Sequence, residues 1–246
     1  MEIESLTFKT EKEYKEFLDY LFSIRDIKYR DFNAKIIVPV NSEIIGIRTP
    51  ILRDIGKKIA KISAENFLNL FEKLFIKKKI KYHEEKVLYG FILGYSKIDF
   101  QERLKRIDFF INIIDNWAVC DIVDSSFKFI NKNKEDFYNY LTSKLSVKNP
   151  WEQRFIFVIL LAYYIEDKYL KDIFKICEKI KSDEYYVKMA KAWLLSICYV
   201  KFKNETYKFL EKTKLDNWTV NKSIQKIRES LRVTKEEKEK ILLLKR

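Results

Sequence analysis

Apolar residues recur along this chain at intervals of three and four. Phe17, Leu18, Leu21 and Phe22 make one such stripe, Val87, Leu88, Phe91 and Ile92 a second, and Phe155, Val158, Ile159 and Tyr163 a third. This spacing puts each set on one side of a 3.6-residue turn and predicts amphipathic helices. Helix starts are legible from capping chemistry. Thr10 with Glu13, Asn133 with Asp136 and Thr234 with Glu237 each place a side-chain acceptor three residues before a carboxylate. Thr49 with Pro50 and Asn149 with Pro150 each read as an N-cap followed by proline at the first helical position. Between these signals the pattern predicts about a dozen helices of ordinary length.

One stretch breaks the rhythm. VPVNSEIIGIR, residues 38–48, has no helical period and carries Pro39 and Gly46, so it is predicted to be a loop. It runs into the Thr49–Pro50 start, where the amides of a helix N-terminus either seat a phosphate or merely begin a helix. Lys77, Lys78, Lys79 and Lys81 read as a solvated turn between repeats, and His83, beside Glu84 and Glu85, as a solvated residue on a polar turn.

Composition narrows the fold. With 4 Gly and 3 Pro in 246 residues, the turns and extended segments of a sheet protein are undersupplied. The expected class is all-α. Trp117, Trp151 and Trp193 recur at separations of 34 and 42 residues, the interval of stacked two-helix units of the HEAT type, in which each pair buries its apolar face against the next. The prediction is one HEAT-like solenoid of about six helix pairs, a single domain over 1–246, curved so that corresponding helix faces line a concave wall.

Charge and cysteines bear on setting and partner. Lys and Arg number 49 against 36 Asp and Glu, a formal charge of +13. That suits a polyanionic partner, although an Ile-, Lys- and Asn-rich composition also follows from an AT-rich genome. Cys120, Cys177 and Cys198 are too widely spaced for a zinc or redox motif, and His83 is the only histidine, so no metal site is expected. Reduced thiols, the absence of a signal-like start and the shortness of the longest apolar run, Phe155 to Ile165, give a cytoplasmic protein as the expectation, with that run as a buried core helix.

Candidate chemistry lies in NWAVCD, residues 116–121, and WEQR, residues 151–154. Four-residue spacing sets Trp117 beside Asp121, and three-residue spacing sets Trp151 beside Arg154. Either pair alone is equally a buried indole next to a surface charge. Near the end of the sequence, Lys222, Lys226, Arg228 and Arg232 form two pairs at four-residue spacing, which serve either phosphate contacts or a solvated face.

Five separated blocks carry a resemblance. IIGIRTPILR (44–53), IDNWAVCD (114–121), NPWEQRFIFVILL (149–161), MAKAWLLS (189–196) and NKSIQKIRESLRV (221–233) are similar to segments of the AlkD-like HEAT-repeat glycosylases of DNA alkylation repair. The resemblance implies an enzyme that hydrolyses the bond joining a cationic alkylated purine to its deoxyribose in duplex DNA, without metal or cofactor and as a monomer. It makes Asp121 the catalytic carboxylate, Trp117 and Trp193 the lesion-facing indoles and Arg154 the arginine of the site. Arg48 and Thr49 become DNA contacts, joined by Lys222, Lys226 and Arg228. Relatives leave the lesion in the duplex and work from the backbone side. Two other readings remain: an inactive binder of unusual DNA structures, and a HEAT scaffold that grips a protein.

Overall fold

The computed structural model describes residues 3–39 and 41–246. Among the described residues there are fourteen α-helices and no strand, only an isolated bridge between Glu43 and Tyr82. The chain divides into two compact units, Met1–Lys132 and Asn133–Arg246. The first holds α1 (Glu11–Ser23), α2 (Ile27–Ile36), α3 (Thr49–Ile62), α4 (Ala64–Ile76), α5 (His83–Tyr95), α6 (Phe100–Ile113) and α7 (Trp117–Ile122). The second holds α8 (Lys134–Ser143), α9 (Pro150–Tyr163), α10 (Asp167–Lys179), α11 (Tyr185–Lys201), α12 (Lys203–Lys212), α13 (Asn217–Glu229) and α14 (Lys235–Leu242).

Within each unit the helices pack as pairs, and two kinds of helix result. In the first unit α5 packs on α3, α4, α6 and α7, and everything from His83 to Gly94 is buried. In the second, α11 packs between α9 and α13, and α9 is buried from Gln153 to Leu160. A helix enclosed on all sides shows no polar face, so the stripes at Val87–Ile92 and Phe155–Ile159 merge into continuous apolar surface. The outer helices α3 and α10 keep a single apolar face, Leu52, Ile55 and Ile59 in one and Leu170, Ile173 and Cys177 in the other. This pairing is the architecture expected of HEAT-like repeats.

Capping chemistry places most helix starts, with two corrections. Thr10–Glu13 and Thr234–Glu237 are reciprocal capping boxes, and Asn149 caps α9 ahead of Pro150. At the other proline, helix α3 begins one residue earlier than expected: Arg48 is the N-cap, Thr49 the first helical residue and Pro50 the second. Both positions lack an obligatory N–H partner, so proline is accommodated equally well. Asn133 is the N-cap of α8 but its side chain does not bond the first turn. Its backbone, at φ −125° and ψ 39°, lies outside the extended region from which a cap side chain reaches N2 or N3.

The larger correction is His83. It is not solvated but 3% exposed, and Glu84, Glu85 and Lys86 after it are buried too. The predicted loop over 38–48 includes Val40, which lies outside the described residues, and Glu84 organises its 45–47 part. Its carboxylate accepts from the backbone amides of Ile45 (2.9 Å), Gly46 (2.7 Å) and Ile47 (3.3 Å), while Gly46 takes φ +101°, a conformation only glycine adopts without strain. The amides of residues 45–47 are thus taken by a buried carboxylate of the protein, and the N-terminus of α3 begins beyond them at Thr49. The turn after α4 is solvated as expected, with Lys77 and Lys79 both paired to Glu11.

Candidate active site

Helix α7 is short, six residues, and its position depends on what holds its two ends. At its start the buried Asn116 accepts from the amides of Ala118 (3.0 Å) and Val119 (3.1 Å), capping the helix. The amide nitrogen of that side chain lies 2.9 Å from Asp115 Oδ1 and 3.3 Å from His83 Nδ1. Asp115 in turn accepts from Lys86 Nζ (2.7 Å) and Ser42 Oγ (2.8 Å). Burial lowers the His83 pKa, against the opposing charges of Glu84 and Asp115. The polar start of α5 thus anchors the α7 cap from below. Trp117 leads the helix, half-buried, with its indole N–H donating to the Ile36 carbonyl (3.1 Å) at the end of α2. Asp121, also half-buried, follows one turn later on the same face.

Arg53 of α3 holds the other end. Its guanidinium lies over the Phe91 ring (4.6 Å to the centroid) and donates to Tyr95 Oη (3.0 Å), Ser125 Oγ (2.9 Å) and the Ile122 carbonyl (3.4 Å). Close packing of the chain beneath requires Gly94, where a Cβ would come within 2.7 Å of Ser126 Cβ and 2.9 Å of the Phe127 ring. A second carboxyl, Asp124, sits at this end. Burial pushes it up to about 6, the Ser125 amide it accepts from pulls it down, and the Asp121 charge raises it again against Arg53.

The sign of that shift gives a stability prediction. A carboxyl raised in the folded state contributes stability that is complete below its unfolded pKa and lost as pH rises through the folded one. Asp124→Asn, which cannot ionise, is therefore expected to match the parent near pH 4 and to exceed it by about 2 kcal/mol above pH 7. Urea unfolding across that range checks it. A stability difference that stays constant with pH would contradict the assignment of half-buried Asp124 as the raised group.

The second unit carries Arg154 and Trp193. Arg154 of α9 is 5% exposed, and its guanidinium donates to the Tyr186 carbonyl at the start of α11 (2.6 Å) and lies 5.8 Å from the Tyr186 ring. Trp193 is half-buried on α11, two turns beyond Tyr186 and so on the same side of that helix. The four residues are thus divided, Trp117 and Asp121 in the first unit, Arg154 and Trp193 in the second.

The outer basic residues separate. Arg48 is exposed and ion-paired with Asp26 (2.8 Å), itself the cap of α2, and stacks over Tyr29 (5.1 Å). Thr49 beside it is half-buried. On α13, Lys222 and Arg228 line one cavity, whereas Lys226 turns to Glu229 (2.7 Å). Among the described residues no three His, Cys, Asp or Glu side chains are grouped to hold a metal ion, and no helix is long and apolar enough to cross a membrane.

Asn116 and Arg53 were not assigned roles from sequence. An asparagine directly before a helix is a readable cap signal. Arg53 had no signal, because its partners lie up to 72 residues away along the chain.

Paired helices without a sheet, carrying an indole and a carboxylate on a helix clamped at both ends, define an all-α repeat protein of the HEAT-like class. The chain belongs to the DNA alkylation repair enzyme family, whose sequence pattern matches residues 20–227. No curated protein matches it.

Proposed function

We propose that this protein is a DNA glycosylase that hydrolyses the N-glycosidic bond of cationic alkylated purines in duplex DNA. The observation that carries the reading is the Trp117–Asp121 pair on α7, in a member of a DNA alkylation repair family. An alkylated ring nitrogen makes the purine a good neutral leaving group, so no general acid is required. The developing oxocarbenium sugar needs a fixed anion, which Asp121 supplies, and the same carboxylate orients the attacking water. The asparagine cap and the Arg53 clamp favour this role, because a charge that is already positioned costs no reorganisation during the reaction.

In this reading Arg154, aimed by the Tyr186 carbonyl, holds a backbone phosphate. Trp117 and Trp193 lie along the deoxyribose. Arg48, Thr49, Lys222, Lys226 and Arg228 take phosphates elsewhere on the duplex, and no metal or cofactor takes part. The whole chain works as one repeat domain, as a monomer, in the compartment that holds the DNA.

The decisive experiment is release of free base, with an abasic product, from duplex DNA treated with a methylating agent. Duplex affinity is expected to fall steeply with salt, the slope being roughly −0.9 for each phosphate neutralised. Salt-dependent binding without base release would make the protein a binder of DNA structures. Affinity that stays flat with salt would remove DNA as the partner.

A further inference from the structure

Four aromatic side chains run across the start of three helices in the second unit. Trp151 of α9 lies 5.5 Å from Tyr186 of α11, Tyr186 lies 5.1 Å from Tyr185, and Tyr185 meets Trp218 of α13 edge-on at 5.7 Å. Two of these rings are open to solvent, Tyr185 at 55% and Trp218 at 37% exposure. Large rings left on a surface cost hydrophobic free energy unless something covers them.

Cations accompany the rings. Lys188 and Lys222 place their ammonium groups 5.3 and 5.5 Å from the Trp218 ring centre, Lys188 being shared with the Asp216 carboxylate (2.9 Å). Trp218 also forms one wall of a cavity of about 370 Å³. Lys222, Arg228 and Lys245 line it with Asn221 and Gln225, and no carboxylate does. A volume of this size lies in the range of clefts that take small ligands, ~300–1,000 Å³. The wall offers a π-face and three positive charges, while the Asn221 amide is taken by the Arg246 backbone and the Gln225 amide by Lys222 and Glu229.

The ligand matching this is an anion with accessible aromatic faces. A DNA duplex meets only half of that description, since its phosphates face outward but its base faces are consumed by stacking. An unpaired strand presents both. Aromatic plates interleaved with Lys and Arg are the means by which single strands are held with little sequence preference.

We propose that Tyr185, Trp218 and the cavity beside them form a site for unpaired DNA, bases stacking on the two exposed rings and phosphates taken by Lys222, Arg228 and Lys245. It shares Lys222 and Arg228 with the duplex contacts of the glycosylase reading, goes beyond that reading in Tyr185, Trp218 and Lys245, and stands whether or not the protein cleaves a glycosidic bond. In a repair protein such a site would hold a strand opened beside a lesion.

The test is anisotropy titration of labelled oligothymidylate and of a duplex of equal length, with the full chain and with Trp218→Ala, Tyr185→Ala and Trp218→Phe. Each alanine variant is expected to weaken oligothymidylate binding about tenfold, the scale of one lost base stack, while duplex affinity changes much less. Trp218→Phe, which keeps a ring, should recover most of the loss, and matching circular dichroism shows that the variants fold. Equal oligothymidylate affinity in parent and alanine variants would overturn the site, as would equal loss for duplex and single strand. Inorganic polyphosphate or polyglutamate competing as well as oligothymidylate would reduce it to a charge patch and overturn it too. Base release by Trp218→Ala from alkylated duplex reports on the catalytic reading separately.

Discussion

Asp121→Asn is expected to slow release of a cationic alkylpurine at least about a hundredfold, or about 2.7 kcal/mol, and to leave duplex affinity unchanged or slightly improved. The amide keeps the size and most hydrogen bonding of the carboxylate but removes the anion that meets the oxocarbenium sugar. Binding does not suffer because a carboxylate near the DNA backbone repels phosphate. Trp117→Ala and Trp193→Ala should each cost less in rate. Trp117→Ala also removes the donor to the Ile36 carbonyl, so its loss includes some loosening between α7 and α2. Single-turnover excision from methylated duplex gives these rates, and far-ultraviolet circular dichroism checks folding. A folded Asp121→Asn protein that excises as fast as the parent would defeat the mechanism.

Glu84→Ala is expected to destabilise the first unit by about 3–5 kcal/mol. Hydrogen bonds to a charged acceptor contribute about 1.5–3 kcal/mol each, and their sum is not additive when one group makes three. The substitution leaves the amides of Ile45, Gly46 and Ile47 without their acceptor beneath a fully buried position. Glu84→Gln, which retains one carbonyl oxygen but turns an NH₂ toward donors, should fall between parent and alanine. Urea unfolding gives the free energies. Hydrogen exchange should show residues 43–48 losing protection before the rest of the unit. A Glu84→Ala loss under 1 kcal/mol would mean that water replaces the carboxylate and that the loop is not organised by it.

Both predictions depend on residues of α5 and α7 that differ in how far they could be read from the chain alone. Helix content was legible because the period of apolar positions is local, and turn residues are too few for a sheet. The Thr10–Glu13 and Thr234–Glu237 boxes were legible for the same reason, since cap and partner lie three residues apart. Asn133 has the same spacing to Asp136 and forms no box, because the backbone angle at the cap is imposed by the packing around it. Trp117 and Asp121 share a helix face by spacing, as do Trp151 and Arg154, and Trp193 belongs to the tryptophan recurrence, whereas the roles of Trp117, Asp121, Arg154 and Trp193 entered through the family resemblance.

What sequence reading could not reach is the polar start of α5. His83, Glu84, Glu85 and Lys86 form a run that local pattern assigns to solvent, yet each is buried. Glu85 accepts from the nearby amides of Lys81 and Tyr82, but the other partners are Asn116, the amides of the 45–47 loop, Tyr14 and Asp115, between 29 and 71 residues away. A charged group is stable inside a protein only when fixed donors or opposite charges replace its water. Those donors exist at that place only after α1, the loop and α7 have closed around α5. Periodicity and composition therefore determine that this chain is helical and paired, because those are properties of neighbouring residues. Which polar residues are interior, and which helix end they hold for Trp117 and Asp121, is decided by contacts distant in sequence, and only the tertiary structure contains them.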